Sequence, residues 1–286
     1  MIRSLVRRLG CVAVLALSCC LGNPAVAADA PAEKPVKAAA PSLAIPEATT
    51  GHVLRLGDQE LAYNATAGTL PLRGDRQDIL GQVFFVAYQL TGADKAKRPI
   101  AFVFNGGPGA ASAYLHLGAL GPRRLALNDD GSLPPGPARV VDNPLTWLAF
   151  TDLVFIDPIG TGYSEAADND KTSRDRLYGV RPDLRALGRI IELYLTRSDR
   201  WASPKYLVGE SYGGFRAAAL TDFLQTEFGI TVQGAVLISP VLQFNLQEEE
   251  DYALAPWVVR LPTYAALARL HGKSASEGDA AAAQQA

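Results

Sequence analysis

The apolar positions of this chain fall into short unbroken runs separated by longer amphipathic ones. Pro99 to Phe104 (PIAFVF) is apolar and rich in β-formers after its first residue, as a strand buried on both faces should be. Asp152 to Ile156, Tyr206 to Val208 and Val232 to Ser239 read the same way. Between these runs, Ala110 to Leu120, Asp183 to Leu195 and Phe215 to Phe228 read as helices, the last with Phe215, Leu220, Phe223, Leu224 and Phe228 as its apolar positions. Further upstream, His52 to Ala65 reads as two strands around a Gly57-Asp58 turn, and Val83 to Leu90 as a third strand. Buried strands alternating with helices predict an α/β fold with a doubly wound, mostly parallel sheet. No internal repeat interrupts the pattern.

Two turns in this pattern carry chemistry. In Lys205 to Phe215 (KYLVGESYGGF) the apolar run breaks at Gly209, and Ser211 sits between Gly209 and Gly213. A G-x-S-x-G between a strand and a helix predicts a sharp elbow. The serine there takes a strained backbone, its hydroxyl stands clear of the sheet, and the glycines leave room for strand and helix to close on each other. Ser211 is the candidate nucleophile. After the PIAFVF strand stands Asn105-Gly106-Gly107-Pro108-Gly109, a glycine-rich turn whose backbone N–H groups can converge on an oxyanion or a phosphate. It lacks the Lys-Ser/Thr of a P-loop and the spacing of a dinucleotide fingerprint, although a purely structural turn fits it too. In an α/β-hydrolase the loop at this place supplies one oxyanion donor and the residue after the nucleophile the other. On that reading the donors are the N–H groups of Gly107 and Tyr212.

Composition places this fold in a compartment. Arg3, Arg7 and Arg8 precede an apolar run from Cys11 to Leu21, and Ala25-Val26-Ala27 supplies a small-x-small cleavage pattern, so residues 1–27 read as a secretory signal peptide. The run is shorter than the roughly 18–20 residues that span a bilayer, which argues against a transmembrane anchor. Cleavage there removes Cys11, Cys19 and Cys20, all the cysteines of the chain, and leaves neither disulfide nor thiol nucleophile. Acylation of Cys19 or Cys20 is the alternative, but the residues before either fit a lipidation site poorly. The chain would then be exported, to the periplasm or the medium, with no membrane attachment after cleavage. Losing three arginines leaves 24 basic against 29 acidic residues, a formal charge of −5, which does not suit nucleic acid. Residues 28–50, rich in Ala, Pro and Lys, read as a flexible lead, residues 51–272 as the folded domain, and residues 273–286 as a disordered tail. No cofactor or metal motif is present, and three histidines cannot build a metal cluster.

The motifs NGGPG, Gly121-Pro122, DPIGTGYS from Asp157 to Ser164 and GESYGG from Gly209 to Gly214, in this order, resemble the serine carboxypeptidase family over roughly Gly81 to Gly272. The resemblance implies the α/β-hydrolase fold and release of the C-terminal residue of a peptide substrate through an acyl-enzyme on Ser211. It also implies that Asn105 and Glu210 hold the substrate's terminal carboxylate. A carboxyl at position 210, facing a substrate carboxylate in a partly buried cleft, is expected to serve as a neutral hydrogen-bond donor, since two like charges are costly there. Several positions depart from the family pattern. Ala110 stands where many members have a half-cystine, Phe104 where they have Trp, and Ala119 where a second Glu often stands. The triad's Asp and His should follow an inserted cap region, of which the stretch from about residue 245, including Leu261 to Gly272, reads as the start. His52, His116 and His271 all read as structural, so the expectation is a family member represented by its N-terminal portion, incomplete on the C-terminal side of the sheet. A proline-releasing aminopeptidase of the same fold and a non-catalytic peptide-binding protein are the competing readings. Asn105 heading the loop and Tyr212 after the serine favour the carboxypeptidase. Tyr252, Trp257 and Tyr264 either wall the cleft or pack in a helix core.

Overall fold

The computed structural model describes residues 44–168, 170–247 and 253–274. Residues 1–27, read above as a signal peptide, most of the lead, Tyr252 and residues 275–286 lie outside them. Three antiparallel strands come first: β1 (Ala48–Leu56), β2 (Gln59–Arg73) and β3 (Ile79–Leu90), with the β1–β2 turn at Gly57-Asp58. β1 begins inside the stretch to which the sequence assigned no structure, and Ile45 just before it exchanges hydrogen bonds with the Thr69 hydroxyl of β2. There follow β4 (Ile100–Phe104), α1 (Ala113–Leu115) running into a π-helical turn (His116–Leu120), and a small ribbon of β5 (Arg123–Leu125) and β6 (Val140–Asp142). The chain continues through β7 (Asp152–Ile156), β8 (Glu165–Ala166), α2 (Lys171–Leu177), α3 (Val180–Ser198), β9 (Lys205–Glu210), α4 (Tyr212–Phe228), β10 (Gly234–Ile238) and α5 (Leu254–Leu270).

The main sheet runs β1-β2-β3-β7-β4-β9-β10, with β8 against β3. Its second half, β7-β4-β9-β10, is parallel, and its first half is antiparallel. The hairpin of β1 and β2 follows from the Gly57-Asp58 turn, but the antiparallel pairing of β3 with β2 and with β7 was not in the sequence reading. Two apolar layers hold the sheet. On one face α3 and α4 bury Leu184, Leu187, Ile191, Leu220 and Leu224 against Phe85, Phe102, Phe104 and Ile156. The other face is thinner: Leu115, Leu120 and Leu148 cover Val103, Leu153, Phe155 and Val208. β4 and β7 are buried along their whole length, which matches their unbroken apolar sequences.

The order of the parallel strands positions the site. From β4 the chain moves to β7 on one side and then to β9 on the other, so the carboxyl ends of β4 and β9 flank a point where the winding reverses. Ligand crevices of open α/β sheets form at such points. Phe104 of β4 pairs with Gly209 of β9, which brings the next residues of each strand, Asn105 and Glu210, level with one another.

Candidate active site

Ser211 follows β9 with φ 58° and ψ −121°, a left-handed conformation that a side-chain-bearing residue rarely adopts. Its neighbours fix it there. Ser211 N–H donates to the Ile238 carbonyl at 2.9 Å, and the Ser211 carbonyl accepts from Gly214 N–H at 2.9 Å and Val241 N–H at 3.1 Å. Gly209 is required: a Cβ there would lie 1.8 Å from the Gly213 carbonyl oxygen. A Cβ on Gly213 would lie 2.5 Å from the Phe104 carbonyl oxygen, so β4, β9 and α4 meet at contact distance. Tyr212 opens α4, where an amide has no acceptor within its own helix.

The glycine turn packs directly on this elbow. A Cβ on Gly106 would stand 2.6 Å from Tyr212 N and 3.0 Å from Ser211 Cβ, so any side chain there would fill the space before both. Gly107 is exposed, with φ 105°. Asn105 is buried and its amide faces two ways: Nδ2 donates to Glu210 Oε2 at 3.2 Å, and Oδ1 accepts Leu115 N–H at 2.9 Å. Asn105 and Glu210, far apart in sequence, are thus joined beside the candidate nucleophile. Ser211 and Glu210 are half-buried.

Sequence reasoning passed over the residues that hold this arrangement. Arg216, buried in α4, donates through Nη1 to the Asn105 carbonyl at 3.0 Å and through Nε to Asp183 Oδ2 at 2.6 Å, and its guanidinium lies 4.8 Å from the Tyr212 ring centroid. One side chain therefore ties the glycine turn, the elbow and α3 together. Burial pushes the Asp183 carboxyl up, and the Arg216 charge opposes it. An arginine within the apolar side of an elbow helix was the signal to follow.

A second brace comes from DPIGTGYS. Asp157 Oδ1 accepts Ser112 N–H at 2.8 Å, and Oδ2 accepts Tyr163 N–H at 3.4 Å. Burial raises its pKa, partly offset by those two amides. Ser164 Oγ donates to the Asp157 carbonyl at 2.6 Å and accepts Phe84 N–H at 2.7 Å. Ser112 is fully buried with its hydroxyl on the carbonyls of Ile156 and Val103, so it does not compete with Ser211 as a nucleophile. Beside this brace an apolar hollow of about 470 Å³ opens between Phe84, Phe155, His116 and Tyr163.

The helix expected over Ala110 to Leu120 is only a turn of α-helix and a π turn. Two of its early amides go to side chains rather than to the carbonyl four residues back: Ser112 N–H to Asp157 and Leu115 N–H to Asn105. Phe104 lies fully inside the helix-side core, so this position does not wall the site. Trp257 and Tyr264 of α5 are exposed rather than packed in a core.

None of the three histidines hydrogen-bonds Ser211 among the described residues. His52 Nε2 binds the Thr50 hydroxyl, and its ring stacks on Tyr63. His116 binds the Tyr88 hydroxyl at 2.6 Å and stacks on Phe155 at 4.5 Å, and burial lowers its pKa to about 4. His271 ends α5. No group of three or more His, Cys, Asp or Glu is placed to hold a metal among the described residues, and no described helix is long and apolar enough to cross a membrane.

Residues 59–274 match the family model described as serine carboxypeptidase. Curated relatives include the pheromone-processing carboxypeptidase KEX1 of Coprinopsis cinerea, 29% identical over 181 residues, which cover 60% of this chain and 27% of that protein. The serine-type carboxypeptidase F of Aspergillus niger is 27% identical over 199 residues, covering 64% of this chain and 32% of that protein. Among solved structures, KEX1(delta)p, a prohormone-processing carboxypeptidase from Saccharomyces cerevisiae, superposes with a TM-score of 0.50 at 21% identity, over 78% of this chain and 52% of that one. That likeness shows the fold. The chain thus spans about a third or less of these two curated relatives and about half of the solved one.

Proposed function

The chain belongs to the serine carboxypeptidase family, and from that premise we propose that its site releases the C-terminal residue of peptides through an acyl-enzyme on Ser211. The observation that carries this reading is the Asn105–Glu210 hydrogen bond lying beside a strained serine. An amide and a carboxyl held side by side suit a terminal carboxylate, with Glu210 donating once protonated.

In the proposed reaction Ser211 Oγ attacks the last peptide carbonyl, and its proton passes to a general base. The oxyanion is held by Tyr212 N–H and Gly107 N–H. Collapse breaks the C–N bond, the terminal amino acid leaves with the proton, and water hydrolyses the ester. Gly106 keeps the approach to Tyr212 N–H open. A serine hydroxyl needs a base within hydrogen-bond reach near neutral pH, and no histidine among the described residues offers one. Turnover therefore requires a histidine and its orienting acid from outside the described residues. The leader sequence supports export to the periplasm or medium, with peptides as the substrates met there.

The test is peptide binding and hydrolysis with the terminal carboxylate free or amidated. Amidation should weaken binding to the chain and cut kcat/KM sharply wherever turnover is seen, because it leaves Asn105 and Glu210 unpaired. Blocking the N-terminus should matter little. The reverse pattern would favour an aminopeptidase. A fluorophosphonate probe should label Ser211 once the base is supplied, and Ser211→Ala should abolish labelling. Peptide binding without labelling, even in a version extended by downstream coding sequence, would make this a binding protein.

A further inference from the structure

A second concavity, of about 320 Å³, lies away from Ser211 where the tip of the β2–β3 hairpin meets α2 and α3. Its floor is apolar, formed by Leu72, Leu80 and Leu177, and its walls carry Arg73, Arg176, Arg181, Arg185 and Arg189. Only Asp75 and Asp175 oppose them on the lining, in a chain whose formal charge is −2. The backbone approaches closely here: a Cβ on Gly74 would stand 2.4 Å from Arg176 Nη2 and fill part of the hollow.

Folding accounts for some of these guanidinium groups. Arg176 binds Asp78 at 2.8 Å and Arg189 binds Asp75, which pins the hairpin tip to both helices. Arg181 reaches Glu227 at 2.8 Å, and Arg73 donates to the Gln77 carbonyl. Asp175 is taken by Lys171. Arg185 is different. It is exposed on the cavity wall one helical turn from Arg181 on one side and from Arg189 on the other, and it forms no ion pair among the described residues. Like charges at that spacing work against a helix. Arg185 is thus a third cation in the row, and among the described residues no acid pairs with it.

We infer that this cavity is a second binding site, which takes an acidic side chain of the peptide substrate upstream of the bond that is cut. The inference rests on the carboxypeptidase reading for the identity and direction of the ligand. A carboxypeptidase has only one residue beyond the scissile bond, so a site at a distance meets the upstream part of the peptide. Leu80 lies on β3, three strand positions from β9, which is roughly 14 Å across the sheet, and about three residues past the level of Ser211, which is roughly 10 Å along it. An extended peptide covers that span in about five or six residues. Guanidinium groups above an apolar floor suit a glutamate, with its methylenes below and its carboxylate among Arg73, Arg181 and Arg185.

The experiment uses the full chain with Ser211→Ala, so that no peptide is consumed. Fluorescent decapeptides with free C-termini carry a single Glu at each of positions three to eight from the end, with Gln at the same positions as isosteres. Glu five or six residues upstream should bind roughly three- to tenfold more tightly than Gln at low salt. That advantage should vanish in Arg185→Ala and at 0.5 M salt. Equal binding of the Glu and Gln series, or an advantage indifferent to Arg185, overturns the inference. So does capture of the protein by phosphatidylglycerol vesicles through Arg185, or protection by inorganic phosphate without any discrimination among the peptides. Amidated versions of the same peptides report on the Asn105–Glu210 pair separately. A Glu effect without an amidation effect would sink the carboxylate clamp and leave this site standing, and the opposite result would do the reverse.

Discussion

β4 and β10 have nearly interchangeable sequences, IAFVF and GAVLI, and opposite surroundings. Every residue of β4 is at most 2% exposed, whereas Val236 and Leu237 of β10 are 39% and 37% exposed. The contrast extends to the neighbouring elements. The elbow helix α4 buries Leu220 and Leu224 in the core, while α5, just as apolar, exposes Trp257, Val258, Leu261 and Leu270. An apolar run therefore states what a segment can tolerate, and its neighbours decide what it receives. β4 lies between two strands and two layers. β10 pairs only with β9 and lies at the end of the described sheet.

The largest effect should come from placing one methyl group in each region. Gly209 and Leu237 are register partners, and Gly234 lies three residues before Leu237. Gly209→Ala puts its Cβ on the Gly213 carbonyl and should cost about 4 kcal/mol or more, enough to prevent folding of a marginally stable domain. Gly234→Ala meets only the edge of the Tyr206 ring at 3.2 Å, and its thermal midpoint should stay within a degree or two of the parent. Equal losses in the two would erase the distinction. Core truncation comes next. Phe102→Ala should cost about 3–5 kcal/mol in denaturant unfolding, whereas Leu237→Ser should cost less than about 1 kcal/mol and reduce binding of a hydrophobic dye.

A third test uses pH. His116 has a folded pKa near 4 against an unfolded value near 6.5, so between these pH values the unfolded chain binds the extra proton and stability rises with pH. About 3 kcal/mol should be lost as pH falls from 6.5 to 4. That rise should be lost in Tyr88→Phe/His116→Phe, which removes both members of the hydrogen bond and leaves the opposite contribution of the raised Asp157 and Asp183 carboxyls. A wild-type slope no steeper than that of the double variant would mean that this face of the sheet is as open as β10. The smallest effect concerns the elbow. Ser211→Gly relieves a positive φ and should raise stability by about 1 kcal/mol while abolishing probe labelling. A loss of stability instead would show that the serine is not held in strain.

The sequence was informative where one residue type has one physical use. Gly57-Asp58, the strand runs and the glycines of the elbow each stand where the pattern put them, because turns and close approaches admit few substitutes. It was silent where a partner distant in the chain decides. Nothing local announces that the Asn105 carbonyl needs Arg216, or that Asp157 and Asn105 draw amides away from α1 and cut that helix to a turn. The partners of β3 were hidden for a similar reason: β2 and β3 alternate buried and less buried positions, which suits antiparallel strands but does not say which strand pairs with which. The apolar sequence of α5 says nothing of what it touches.

The Asn105–Glu210 pair owes its existence to register. Its members are 105 residues apart and meet only because Phe104 lies opposite Gly209. A slip of one residue would carry Glu210 roughly 3.3 Å along the strand and turn its side chain to the opposite face of the sheet. The pair therefore also marks a stage of folding. It cannot form until β9 has been synthesised and has docked on β4 in this register, so a chain that ends short of β9, or has not yet paired it, lacks the proposed carboxylate site altogether.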